Sequence, residues 1–310
     1  MSFDFFVILV GLVVFEVISS LDNAVVNADM LRTMSDRARK WFLFWGILLA
    51  VFVVRGLLPT VIVWISSPSL GLWGAFSASL SSDPHVLETV ERAKPILLIG
   101  GGVYLVLLFL QWLFEEQKEY AFFLERFIHR QQVWFYTFAS LFLVAIAWFA
   151  IQQPLLTFSA LVGSTTFFLT AGFKKSAEEE EKKLLGSRTA SDISKLLYLE
   201  VLDATFSIDG VIGAFAFTVS VPLILVGNGI GAFVVRYITI KGVHTVKKFK
   251  YLKNGAMYSV GILGFIMVLE SFGREVAFWV APLNTIFIVV TFFFLSWRAL
   301  HREGGTPHHF

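Results

Sequence analysis

Two short stretches hold most of the chemistry of this 310-residue chain. FEVISSLDNAVVNA, residues 15–28, sets Glu16, Ser20, Asp22 and Asn23 inside an otherwise apolar run. DATFSIDGVIGAF, from Asp203, sets Asp203, Ser207 and Asp209 inside another. A carboxylate at the centre of a membrane helix costs about 2.5–3.5 kcal/mol on insertion scales, so such groups belong in protein-lined sites that use them. Four of them, Glu16, Asp22, Asp203 and Asp209, need cations or protons to balance them. The cations available within apolar runs are Arg55 and Arg236. With all six groups ionised, two negative charges are left over, which one divalent cation would match. Protons on buried carboxylates would serve as well, and so would plain ion pairs with Arg55 and Arg236 that only order the helices.

The donor types narrow the cation. Carboxylate, amide and hydroxyl oxygens, with no histidine or cysteine in any apolar run, favour Mn²⁺, Ca²⁺ or Mg²⁺ over Zn²⁺ or Cu⁺. A guanidinium group cannot ligate a metal, so Arg55 and Arg236 read as counter-ions. Ser20 and Ser207 are auxiliary candidates, with a back-bond to a helix carbonyl as the commoner role of such serines. Glu200, one turn before Asp203, is a further auxiliary candidate. Glu200, Glu270, Asn27 and Asn228 fit an interfacial position as well as a pathway.

These groups must be carried by membrane helices. The chain is 56% hydrophobic, 16% aromatic and 15% charged, with a mean hydropathy of +0.74. Soluble domains run nearer a quarter charged, so a soluble protein of this composition could not cover its surface. There is no cysteine, which excludes disulfides, thiol redox chemistry and thiolate metal sites. The N-terminus has no basic region before its apolar run, and that run carries Glu16; it reads as a retained span, not a cleaved signal.

A span needs roughly 20 apolar residues. Nine such runs are placed near 5–27, 41–65, 95–114, 133–150, 154–173, 196–218, 221–240, 255–270 and 276–297, in an all-α fold forming one transmembrane domain. Twenty of the 25 Lys and Arg fall in the odd-numbered connections and the C-terminal tail, against three, Arg92, Lys94 and Arg274, in the even-numbered ones. The positive-inside bias then puts the N-terminus outside and the C-terminus in the cytoplasm of a cell-membrane protein. Residues 174–195 become a cytoplasmic linker.

The two acidic stretches also repeat. Glu16 aligns with Asp203, Ser20 with Ser207 and Asp22 with Asp209. FVVR recurs in the following spans at 52–55 and 233–236, and more weakly Gly102-Val-Tyr104 matches Ala256-Met-Tyr258. Repeat one covers 5–114 and repeat two 196–270, with two central spans at 133–173 and a last span at 276–297. On the nine-span topology the repeats are inverted, a plan recurrent in secondary transporters, with the substrate near the midplane and helices interrupted there. Asp22-Asn23 and Asp209-Gly210 are helix-weakening pairs at the right place for such an interruption. With a midplane near residues 19 and 206, Glu16 and Asp209 fall on the outer side, Asp22 and Asp203 on the inner side.

EVISSLDNAVV and DATFSIDGVIGA resemble the paired acidic signatures of TerC-like integral membrane proteins, which belong to a wider group with LysE-type exporters. The chain is most similar to a TerC-related branch known only as a domain of unknown function. Gly210, where an amide or hydroxyl is usual, and the two extra central spans depart from the pattern. The resemblance implies metal-ion homeostasis, most often manganese efflux with a link to tellurium resistance, and makes Glu16, Asp22, Asn23, Asp203 and Asp209 the ion site. The expected function is export of a divalent cation, Mn²⁺ first, by a secondary transporter exchanging protons. The chain has no nucleotide-binding motif and reads as neither an ATP-driven pump nor an enzyme. Export of a small cationic solute such as an amino acid is the first alternative. The second is a non-transporting scaffold of a stress-response complex, docking through basic loops such as 241–253. The expected partners are the lipid bilayer and the transported ion, with a homo-oligomer compatible and no nucleic acid; no resident cofactor is expected.

Overall fold

The structure, a computed structural model, describes residues 3–46, 57, 60–61, 64, 71–80, 84–116, 122–186, 191–241 and 248–303. Among the described residues every regular element is helical. Helices α1 (Phe3–Ser19), α2 (Leu21–Arg32) and α3 (Asp36–Trp41) lead into a π-helical turn, Phe42–Gly46. α4 (Gly71–Leu80), α5 (Pro84–Phe114) and the short α6 (Phe123–His129) follow. α7 (Phe135–Phe149) and α8 (Pro154–Gly186) form a hairpin. The last four are α9 (Asp192–Ala214), α10 (Val221–Lys241), α11 (Leu252–Ser271) and α12 (Val280–Glu303).

Six helical segments are long and apolar enough to cross a membrane: Ala93–Phe114, Gln132–Phe149, Pro154–Ala177, Val221–Thr239, Leu252–Ser271 and Val280–His301. They coincide with six of the nine runs. Of the other three, α1 is 17 residues long before a kink. The run at 41–65 lies mostly outside the described residues, Arg55 included. The third, α9, carries Asp192, Lys195, Glu200, Asp203 and Asp209 along its length. The outward faces are greasy: Tyr136, Phe138, Val144 and Trp148 on α7 and Phe287, Val290 and Phe294 on α12 are exposed. An apolar belt of this extent suits hydrocarbon, not water.

Glycine contacts give the packing directions. Gly102 abuts Val268 while Gly264 abuts Val106, and Gly261 abuts Phe109, so α5 and α11 are antiparallel. Gly100 meets Ser159 and Gly163, and Tyr104 meets Phe167, so α5 and α8 are parallel. Gly227 faces Leu12 and Gly231 faces Glu16, which makes α1 and α10 parallel. Gly210 faces Glu16 and Gly213 faces Phe15, which makes α1 and α9 antiparallel. The run Gly100-Gly101-Gly102 therefore serves α8 through its first residue and α9 and α11 through the other two. Without a water-driven hydrophobic force between membrane helices, such small residues let backbones approach and gain dispersion contact.

At one end of the bundle Ser35 and Ser191 cap α3 and α9, accepting from Ala38 N and Ser194 N. The two caps are joined, since Ser35 Oγ donates to the Asp192 carboxylate and Lys195 Nζ donates to Thr33 O at 3.1 Å. At the other end Lys94 and Glu270 stand 3.8 Å apart beside a cavity of about 110 Å³ lined by Phe215, Phe217, Thr218 and Phe278.

The expected interruptions differ from what is found. The first acidic run is broken at Ser20 (φ −95°, ψ 3°), two residues before Asp22. Even there Ser20 N bonds Glu16 O at 3.1 Å and Ala24 N bonds Ser20 O at 3.0 Å, so the helical ladder passes through the kink. α9 runs unbroken from Asp192 to Ala214, through Asp209-Gly210. The weak helix propensity of one glycine, about 1 kcal/mol, is outweighed there by close packing against α1.

Candidate functional site

Glu16 sits at the crossing of three helices and is fully buried. Ser20 Oγ donates to its Oε1 at 3.0 Å, so this serine turns to the carboxylate and not to a carbonyl. A methyl group at Gly210 would come within 2.7 Å of Glu16 Oε2, and one at Gly231 within 2.6 Å of its side-chain carbons. Two glycines, one from α9 and one from α10, thus make the slot for Glu16. Gly210, a departure from the TerC-like pattern, has its reason here: any side chain would occupy the carboxylate's place.

Asp209, next to Gly210, lies at the same level as Glu16 but points to other partners. Lys174 Nζ on α8 is 2.6 Å from Oδ2, and the Tyr104 hydroxyl on α5 donates to Oδ1. Tyr104 also shares a 3.1 Å hydrogen bond with Thr170, which back-bonds to α8 carbonyls. Lys174, the first residue of the linker read from the sequence, lies on the unbroken α8 with its side chain 17% exposed. A lysine stem can carry its charge several ångströms from the backbone, which is how a residue at the end of an apolar run reaches inward.

Two turns earlier on α9, Asp203 Oδ2 is 3.6 Å from Arg236 Nη2. The Arg236 guanidinium lies over the Phe42 ring, 4.0 Å from its centroid. Glu200 adjoins: a methyl group on Gly46, in the π-helical turn, would strike Glu200 Oε1 and come within 3.1 Å of Arg236 Nη2. Both Glu200 carboxylate oxygens are shielded from solvent and have no hydrogen-bond partner among the described residues. Ser207 Oγ donates to Asp203 O at 2.7 Å, the back-bonding role expected of it.

The arrangement therefore has two levels. Glu16 and Asp209 share one; Asp203, Glu200 and Arg236 share the next, toward Phe42 and the joined caps. The side chains of Asp22 and Asn23, and all of Arg55, lie outside the described residues. Among the described residues no three His, Asp or Glu side chains cluster as a metal site would need. Glu16, Asp203 and Asp209 each instead hold a basic or hydroxyl partner.

Lys174, Tyr104 and Thr170 are the residues the sequence reading did not place at the site. Tyr104 carried a signal, its weak repeat match, but Lys174 looked like ordinary positive-inside charge. Glu125 carried none. It is fully buried, accepting from Asn254 Nδ2 at 2.8 and 3.0 Å, Tyr258 at 2.9 Å and Phe122 N at 3.0 Å, and it clasps α6 to α11. Asn27 and Asn228 are both buried, and the Asn228 amide has no partner among the described residues.

Comparison with known proteins adds one match. A family model described as "Protein of unknown function (DUF475)" covers residues 21–303. No curated protein matches, and no solved structure does. The match takes in both acidic stretches from Leu21 onward and every helix from α2 to α12, so the chain belongs to this family of proteins of unknown function.

Proposed function

We propose that this chain is a secondary transporter that exports a divalent cation, Mn²⁺ first among them, and not an enzyme. The observation that carries the reading is Glu16 and Asp209 side by side in level at the α1–α9 crossing, both at least nine-tenths buried within an apolar bundle. Carboxylates so placed are costly unless used. Oxygen donors of this kind suit hard cations. The similarity to TerC-like proteins, in the acidic stretches, points to manganese among them.

The inverted-repeat plan belongs to the same proposal. Helices α1 and α9 are antiparallel, as first members of inverted repeats must be, and so are α5 and α11, as third members must be. The α1–α9 crossing brings Glu16 beside Gly210 and Phe15 beside Gly213, one acidic stretch against the other. Alternating access would rock one unit against the other across this crossing. The membrane is the cell membrane, with the N-terminus outside and the C-terminus in the cytoplasm.

The test is expression in a manganese-sensitive bacterial host, comparing wild type with Asp22→Asn and Asp209→Asn and measuring cell manganese and lysine. Wild type lowers cell manganese and both variants restore it. Equal manganese in all three at equal membrane insertion rejects metal export, and a fall in lysine alone selects the amino-acid reading. The ion pairs Asp203–Arg236 and Asp209–Lys174 favour one further reading, a membrane scaffold in which the charges only order helices. That reading predicts no change of either solute.

A further inference from the structure

We infer that Lys174 is a tethered competitor for the cation at Asp209: its ammonium group fills the carboxylate in the ion-free state and must leave before a metal ion is held there. The inference rests on the transport reading and assigns that site a residue which sequence placed in a loop.

Both oxygens of Asp209 are engaged, Oδ2 by Lys174 and Oδ1 by Tyr104. A hard divalent ion takes carboxylate oxygens at about 2.0–2.6 Å, and Lys174 Nζ stands 2.6 Å from Oδ2. The two cations cannot share that position, by volume or by charge. Tyr104 is no such obstacle: it is neutral, held by Thr170, and its hydroxyl can turn an oxygen lone pair toward an ion. The ammonium group thus leaves while the hydroxyl stays.

Lysine suits the task better than arginine would. It is a compact point charge on a flexible stem, without the planar fork that locks arginine onto carboxylates. Its helix also offers somewhere to go. α8 continues to Gly186, and the exposed Glu179 stands on it little more than one turn beyond Lys174, a carboxylate within reach of a released ammonium group. In the empty protein the Asp209–Lys174 pair is neutral, which lets the unloaded site pass through a low-dielectric bundle without a bare charge.

The experiment uses the full-length protein in detergent, titrated with Mn²⁺ and with Ca²⁺ by calorimetry. Lys174→Met is expected to bind at least one of these ions tenfold more tightly than wild type or better. Lys174→Arg, which keeps a charge on Asp209, should bind no more tightly than wild type. Lys174→Met with Asp209→Asn removes the vacated carboxylate as well, and should fold yet lose the gain. Lys174→Gln carries the same expectation as Lys174→Met and keeps a hydrogen bond to Asp209, for use where the methionine variant does not purify. Wild-type binding with no gain in either neutral variant overturns the competitor role and leaves the transport reading standing. No binding of either ion by wild type or by the neutral variants overturns both.

Discussion

The slot around Glu16 is made by what is missing from its neighbours. Gly210 and Gly231 leave room for a buried carboxylate that Ser20 steadies from one turn away. Gly210→Ala puts a methyl group 2.7 Å from Glu16 Oε2. Overpacking of this kind costs about 1–3 kcal/mol, so the variant should melt at a lower temperature in a thermal scan and export less manganese. The Asp203–Arg236 pair makes a sharper case, since both side chains are at most a tenth exposed. Arg236→Met takes the guanidinium away from Asp203, and breaking a buried pair from one side costs about 3–5 kcal/mol. Adding Asp203→Asn should return part of that loss, measured as a double-mutant cycle on unfolding. Residue types announced these acids, but not their partners. Lys174 is spelled like any cytoplasmic lysine, and only the depth to which α8 carries it shows whom it meets.

Helices follow from apolar length, and here the sequence was informative: six spans fall where their apolar runs do. What length cannot say is how closely two helices meet. Gly163 lies against Gly100 O, a contact that leaves no room for a side chain at 163. Gly163→Val should prise α8 from α5 and carry Thr170 and Lys174 away from Tyr104 and Asp209. The expected readout is a lower melting temperature together with lost manganese export, while valine at Gly172, where a side chain meets open space, leaves both unchanged. The helix interruptions show the reverse failure. Asp-Asn and Asp-Gly are weak helix formers by propensity, yet α9 stays continuous because packing on α1 outweighs a local cost of about 1 kcal/mol.

For the whole molecule, the absence of cysteine makes topology measurable. Ser220 and Ser191 are both exposed, beyond the end of α9 and at its start. In intact cells Ser220→Cys should react with a membrane-impermeant maleimide, and Ser191→Cys only after permeabilisation. Labelling with the opposite pattern would reverse the orientation, and labelling of both from outside would take α9 out of the membrane. The sequence by itself determined that the chain is built of long apolar helices, six of them where the apolar runs lie. Those rest on composition and one-dimensional pattern, which hydrocarbon thickness reads directly. It also supplied the acids and their repeat. Only the tertiary structure decided that glycines from two other helices form the slot for Glu16, and that Lys174 and Tyr104 occupy Asp209. Those contacts join residues 35 to more than 200 positions apart, and no local pattern encodes which faces of packed helices will meet.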